Sequence, residues 1–365
     1  MTTPGGSPGT SSPESHETLG PRQGDLEAFL KNYYGRVVQK TGDFERDACC
    51  ADSTAARFKD IVELIPLEVR ERNYGCGCSI PEDDLRGLKV LDLGSGSGLD
   101  AFIVAKLVGP EGHVYGIDMT DEQLEVARRN SEPVRRAFGF EKPNTTFYKG
   151  YIETAEAINS GSIDLVISDC TINLSPLKNQ VFSAAYRVLT GGGELYISDI
   201  VADRRVPERI RRDGTLVAEC LGGACYEHDL YDLLEENGFR DARLVSRQLV
   251  ERDPLGIPIE FYSVTLRAFK FARPLDRRCE DYGQVAIYRG TLPLSPARFA
   301  LDDHHVFERN RPLAVCRNTA RMLSETRLGR HFEVSEAREH FGLFPCGAPP
   351  AAASAGGVAA TEGCC

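Results

Sequence analysis

Between residues 89 and 198, short apolar runs alternate with segments whose apolar residues recur every three or four positions. That pattern predicts strands alternating with helices. Lys89 to Leu93 reads as a buried strand, and Leu99, Phe102, Ile103 and Leu107 mark the helix after it. His113 to Ile117 is a second strand, Asp121 to Phe138 a helix, and Thr145 to Lys149 and Ile163 to Ser168 are further strands. Val181 to Leu189 reads as a helix, which Gly191-Gly192-Gly193 ends before a strand at Glu194 to Ser198. Pro207 to Leu221 and Tyr226 to Asn237 read as helices, and alternation at Ala242 to Val250 and Ile259 to Phe269 predicts two antiparallel closing strands. The expected fold class is α/β, with a mostly parallel, doubly wound sheet.

Other patterns flank this core. Residues 1–22 are rich in Pro, Gly and Ser and read as disordered. Residues 23–80 form an N-terminal extension of helices and cysteine loops, with one helix over Asp25 to Lys40 and another over Thr54 to Ile65, before Pro66. Its loops are Asp47 to Asp52, which holds Cys49-Cys50, and Asn73 to Cys78. After the core at 81–271, residues 272–346 suggest a smaller α+β domain with a strand at Val285 to Tyr288 and a helix at Thr319 to Leu328. The Ala/Gly/Pro-rich tail, 347–365, reads as flexible and ends in Cys364-Cys365. No internal repeat is present.

The chemistry starts at the first strand. Gly94, Gly96 and Gly98 follow it at alternate positions, where the backbone can turn sharply and approach a ligand. A dinucleotide fingerprint needs Gly-x-Gly-x-x-Gly, but the sixth position here is Leu99, and Asp92 stands two residues before the loop. This variant resembles the first motif of class I S-adenosylmethionine-dependent methyltransferases, which implies a Rossmann-like core. Asp118 ends the second strand about 20 residues later, where an acidic side chain can take ribose hydroxyls. Asp92, Asp118, Glu153 and Asp169-Cys170 all fall at carboxyl ends of strands, so they should ring one crevice.

Charge and cysteine usage narrow the picture. A net charge of -11 disfavours nucleic acid and anionic membranes as partners. No apolar stretch approaches a membrane span, and Met1 to Pro21 lacks the apolar core of a secretory signal. A cytoplasmic, reducing location is expected, where 12 cysteines suggest metal binding or catalysis more than a disulfide framework. Cys279, Cys316 and Cys346 read as small core hydrophobes. Cys76 sits between two glycines, Cys170 follows an acidic strand end, and Cys220 lies beside Gly222-Gly223. No pair of these has zinc-ribbon spacing, so they could meet only through the fold, in a three-thiolate site for a soft ion.

Six motifs in order then resemble the arsenite methyltransferases: Tyr74-Gly75-Cys76-Gly77, Leu91 to Gly98, Gly116 to Thr120, Gly150 to Glu153, Asp169 to Leu174 and Glu219 to Ala224. The resemblance implies that Cys76, Cys170 and Cys220 hold As(III), and that Cys49 or Cys50 exchanges with Cys76 through a disulfide. It implies S-adenosylmethionine as methyl donor, held by Tyr74, Gly94, Ser95, Gly96, Asp118, Met119, Thr120, Gln123, Ile152, Glu153 and Asp169. Arsenite and methylarsenite are the implied substrates, thioredoxin or glutathione the reductants, and a monomer is expected. Cys78 and Cys225 are further thiols close in sequence to these ligands. Two other functions use the same motifs: methylation of a small organic acceptor such as a quinone or sterol, and metalloid binding without methyl transfer.

Overall fold

The computed structural model describes residues 23–38, 53–72 and 74–346. Cys49-Cys50, Asn73 and the Cys364-Cys365 tail lie outside the described residues. Helix α1 (Gln23–Asn32) passes into a π-turn at Tyr33–Val37 where a helix to Lys40 was expected. Gly35, a poor helix former, lies there against the Glu122 carboxylate. The predicted second helix over Thr54 to Ile65 is two short ones, α2 (Ser53–Arg57) and α3 (Lys59–Val62), and a further short helix, α4 (Leu67–Arg70), follows Pro66. The break between α2 and α3 falls at Phe58, which leaves helical geometry while its ring is buried in the core. Pro66 caps the start of α4.

The core strands are β1 (Lys89–Leu93), β2 (His113–Asp118), β3 (Thr145–Lys149), β4 (Ile163–Asp169), β5 (Leu189–Ala202), β6 (Cys225–Tyr226), β7 (Arg243–Arg252) and β8 (Glu260–Phe269). They form one sheet in the order β3-β2-β1-β4-β5-β8-β7, with β6 beside β5. β1 to β6 run parallel, and β7 and β8 are antiparallel, as the alternation predicted. Central β1 pairs Asp92 with Gly116 on one side and Ile167 on the other, which sets the acidic strand ends side by side. Helices α5 (Leu99–Val108) and α6 (Asp121–Phe138) follow β1 and β2, and α7 (Lys178–Val188) precedes β5. The three glycines lie inside β5 instead of ending α7, because Gly192 and Gly193 pair with the backbone of Lys270.

The charged helix expected over Pro207 to Leu221 is two, α8 (Glu208–Arg211) and α9 (Gly214–Ala218). Asp213 separates them by capping α9, its carboxylate accepting from the Leu216 N–H at 3.0 Å. Helix α10 (Glu227–Glu236) follows.

The C-terminal region builds its own apolar core from small antiparallel sheets and one helix. β9 (Glu280–Asp281) pairs with β15 (Gly342–Leu343), β10 (Gln284–Tyr288) lies between β13 (Pro312–Val315) and β14 (Phe332–Val334), and β11 (Arg298–Ala300) pairs with β12 (Val306–Glu308). Helix α11 (Arg317–Ser324) stops short of Leu328 because Thr326 caps a following 3-10 turn. Buried charges tie this region to the sheet: Arg267 of β8 donates to Glu194 at 2.8 Å and to Asp83 at 2.9 Å, and Arg327 donates to both acids as well. Among the described residues no helix is long and apolar enough to cross a membrane.

Candidate active site

A crevice of about 520 Å³ opens at the carboxyl ends of β1, β2 and β4. It is lined by Tyr74, Gly94, Ser95, Gly96, Asp118, Met119, Thr120, Gln123, Ile152, Glu153 and Asp169 together with Cys170, so the residues expected around a cofactor converge. Gly94 has φ +80°, and a β-carbon there would strike the Thr171 side chain. A β-carbon on Gly75 would strike the Asp169 carboxylate, so glycine is what lets the cysteine loop close on β4. Asp118 accepts from the Gly96 N–H at 2.9 Å and the Thr120 N–H at 2.8 Å, fixing the glycine loop against β2. Glu153 accepts from the Ser175 hydroxyl at 2.6 Å.

Sequence reasoning treated α1 as an extension, but it forms a wall of the crevice through Leu26, Glu27, Leu30 and, beyond the helix, Tyr34. Gln123 donates to the Tyr34 carbonyl at 2.8 Å, and Tyr151 donates to Glu27 at 2.6 Å. The aromatic and aliphatic stripe of α1 was the available signal; its target became visible only in three dimensions.

Acidic side chains outnumber basic ones around the crevice, where Arg72 is the one lysine or arginine among the lining residues described. Burial and the neighbouring carboxylates of Asp100, Asp118 and Asp169 push Asp92 well above the usual carboxylate range. Burial and Asp100 do the same to Asp169 although the Cys76 N–H hydrogen-bonds it, burial raises Asp118, and burial lifts Asp100 to about 6. Asp92 Oδ2, Ser95 Oγ and Gln123 Oε1 are buried with no hydrogen-bond partner among the described residues. Such a wall fits a ligand that brings positive charge and hydrogen-bond donors.

Behind the crevice the three singled-out cysteines share one buried apolar cluster. Cys76 and Cys170 are joined by a disulfide with their α-carbons 5.7 Å apart. The Cys220 thiol donates to the Cys170 carbonyl at 2.9 Å, and the donor atoms of Cys170, Cys220 and Asp199 all lie within 4.8 Å of one another. Cys170 (φ 53°) and Cys220 (φ 65°) both hold left-handed backbone, which is uncommon outside glycine and concentrates at functional sites. Asn173, which sequence reasoning left unassigned, donates to the carbonyls of Ile200 and Cys220 and so ties the β4 loop to the end of α9. The expected upstream relay partners of Cys76, Cys49 and Cys50, lie outside the described residues; among the described residues Cys76 is joined to Cys170. Cys78 packs among the N-terminal helices and Cys225 against the cluster under α10, so neither shares the apolar cluster of the three.

Comparison with known proteins follows the same outline. The chain is 44% identical over 347 residues to the arsenite methyltransferase of Aquipseudomonas alcaligenes, covering 92% of this chain and 99% of that one. It is 39% identical over 319 residues to the arsenite methyltransferase of Mus musculus, covering 84% and 83%. The chain belongs to the arsenite methyltransferase family. The arsenic(III) S-adenosylmethionine methyltransferase of Chlamydomonas reinhardtii matches its fold with a TM-score of 0.75 at 43% identity, over 79% of this chain and 98% of that one. A family model described as a methyltransferase domain matches residues 84–238, the stretch that carries the glycine loop, Asp118, Asp169 and two of the three cysteines. Likeness to the arsenite methyltransferase family thus extends past the general methyltransferase core, into the loop of Cys76 and the C-terminal region.

Proposed function

We propose that this chain transfers methyl groups from S-adenosylmethionine to trivalent arsenic held by Cys76, Cys170 and Cys220, which gives methylated arsenicals. The observation that carries the reading is the meeting of these cysteines, distant in sequence, directly behind a crevice with buried, unneutralised carboxylates. The unpartnered oxygens of Asp92, Ser95 and Gln123 match the donors and positive charge of the methyl donor, and the glycine loop and Asp118 match its nucleoside. When bound, S-adenosylmethionine supplies an electrophilic methyl group on a sulfonium.

The residues then have distinct tasks. Arsenic(III) carries a lone pair, so no general base is needed. The protein supplies thiolates, orientation and exclusion of water. A thiol reductant opens the Cys76–Cys170 disulfide, two thiols being oxidised to one disulfide as the protein pair is reduced. Three cysteine thiols then replace the hydroxyls of arsenite and release water. The strained backbone of Cys170 and Cys220, with Asn173 behind them, holds two of the three sulfurs in register. Positioning of this kind can remove on the order of 7–11 kcal/mol from a barrier. Methyl transfer oxidises arsenic by two electrons. A pair of cysteine thiolates returns them by closing a disulfide, with Cys49 or Cys50 as relay partner for Cys76. Thioredoxin or glutathione in a reducing cytoplasm restores the thiols.

The test is transfer of labelled methyl from S-adenosylmethionine to arsenite, with thiol reductant, for the parent and for Cys170→Ser. Transfer by the parent that vanishes in the variant is expected. A parent that binds the methyl donor yet leaves arsenite unmethylated would overturn the reading and favour an organic acceptor.

A further inference from the structure

Cys279, Cys316 and Cys346 were each expected to be an isolated core residue, but the fold brings them together. Their three sulfurs lie within 4.8 Å of one another, and none of the three lines the crevice. Three separate segments converge to place them. Cys279 precedes β9 and Cys346 follows β15, and pairing of those strands, continued by the Phe344 N–H to the Cys279 carbonyl at 2.7 Å, brings the two ends side by side. Cys316 follows β13 and caps α11. Cys316 is buried, whereas Cys279 and Cys346 are half-exposed and leave the cluster an entry path.

At Cys316 the surroundings favour thiolate, whereas burial pushes the Cys279 thiol up and sharing with Cys316 pushes the Cys346 thiol up. The Thr319 N–H points at Cys316 Sγ over 3.5 Å, and the Thr319 hydroxyl lies 3.3 Å from it. That hydroxyl already accepts from Arg243 at 3.1 Å, which leaves its proton free to point at the sulfur. The neighbouring Cys346 thiol, Thr319 and Arg243 hold the Cys316 thiol below its ordinary range against the opposing effect of burial.

We infer that Cys279, Cys316 and Cys346 form a second trivalent-arsenic site, separate from the one that undergoes methylation. Thiolate donors select soft ions. A structural zinc site takes four ligands, and no fourth His, Cys, Asp or Glu joins this cluster among the described residues. Trivalent arsenic, with a lone pair in place of a fourth ligand, needs three. Arsenite and three thiols give three As–S bonds and three water molecules, with no change of oxidation state. The choice of arsenic rests on the proposed substrate, while the three-sulfur arrangement stands apart from it.

Arsenite is titrated into the fully reduced chain carrying Cys170→Ser and Cys220→Ser, bound arsenic is counted after desalting, and X-ray absorption gives its sulfur coordination. Stoichiometric arsenic with three sulfur neighbours is expected to remain, and adding Cys316→Ser is expected to abolish it. Serine is itself a good N-cap, so this variant keeps α11 folded, and Cys346→Ala should give the same loss by an independent route. In the parent background, Cys316→Ser is expected to leave methyl transfer unchanged, which separates this site from failure of the catalytic reading. No arsenic in the starting variant, arsenic indifferent to Cys316→Ser and Cys346→Ala, or arsenic lost instead with Cys364→Ser and Cys365→Ser would each overturn the assignment.

Discussion

Asp83 and Glu194 meet two arginines between the sheet and the C-terminal region, whereas Asp92, Asp100, Asp118 and Asp169 meet at the crevice with no lysine or arginine ion pair among the described residues. Asp83 and Glu194 are buried, and so are Asp92 and Asp100 in the crevice, while Asp118 and Asp169 are partly exposed, so burial alone does not separate the two groups. Neutralisation does. Against the desolvation of full burial, Arg327 and Arg267 hold Asp83 below its ordinary value, while burial and like charges drive Asp92 and Asp169 well above theirs. A buried carboxylate given its counter-charge by the chain is a structural joint. One left without it stores unfavourable free energy that a cationic ligand can release.

The strongest way to break the comparison is to remove the counter-charge. Arg267→Met leaves Asp83 and Glu194 with Arg327 alone, and loss of one partner from a buried ion network costs about 3–5 kcal/mol. The midpoint of urea unfolding should fall accordingly, with methyl-donor affinity per folded molecule unchanged. If stability barely moves, the network is not the joint described.

Asp92→Asn is the mirror experiment. It removes a charge that the ligand-free protein holds at a cost, so thermal stability should stay level or rise. Affinity for S-adenosylmethionine should fall roughly tenfold to a hundredfold, the equivalent of a charged hydrogen bond worth about 1.5–3 kcal/mol. Calorimetric titration and a melting curve report the two quantities. A variant that melts early while binding normally would place Asp92 with Asp83, as structure.

The sequence allowed the second half of this comparison to be anticipated, but not the first. Asp92, Asp118 and Asp169 stand at or next to the carboxyl ends of largely apolar strands, and in parallel sheets such ends share one rim. Asp83, Glu194, Arg267 and Arg327 carry no such marker. Glu194 read as the edge of a strand at Glu194 to Ser198, yet it is fully buried in the middle of β5. The same limit applied to cysteine. Cys76, Cys170 and Cys220 stood beside glycines or acidic strand ends that marked them out, whereas Cys279, Cys316 and Cys346 converge only through pairing of two-residue strands. Helix ends failed where a side chain overrode periodicity, as Asp213 does between α8 and α9.

Titration sharpens the contrast with a smaller effect. The crevice carboxylates are raised in the folded, ligand-free protein, so it binds more protons than the unfolded chain between their ordinary range and about 6, where Asp100 lies. The stability they contribute is fully present below the ordinary carboxylate range and is lost as pH rises through their folded values. A cationic ligand demands the opposite protonation. S-adenosylmethionine affinity should therefore weaken as pH falls from 8 through 6, with protons released on binding at the acidic end. Asp83, lowered by its arginines, contributes the reverse slope: its stabilisation is lost as pH falls through its folded value. Measuring affinity and melting temperature across pH separates the two groups, and an affinity flat from 8 to 5 would remove the crevice carboxylates from binding.

The smallest effect tests whether polar contacts or apolar packing hold the wall of the crevice. Lys31 donates to Glu27 at 2.6 Å and to the Tyr151 hydroxyl at 3.1 Å, and that hydroxyl donates to Glu27, a chain linking α1 to the loop after β3. Tyr151 is 45% exposed, so this network is largely solvated and each bond in it is weak. Leu30, by contrast, is 2% exposed on the same helix. Tyr151→Phe keeps the ring and removes the bonds, and about 0.5 kcal/mol corresponds to roughly twofold faster release of the methyl donor. Stopped-flow displacement measures that rate. An increase near tenfold would mean that the hydroxyl network latches α1 over the crevice. A twofold change or less means that Leu26 and Leu30 seat the helix and that the charges around Tyr151, unlike those around Asp92, do no more than decorate a solvated edge.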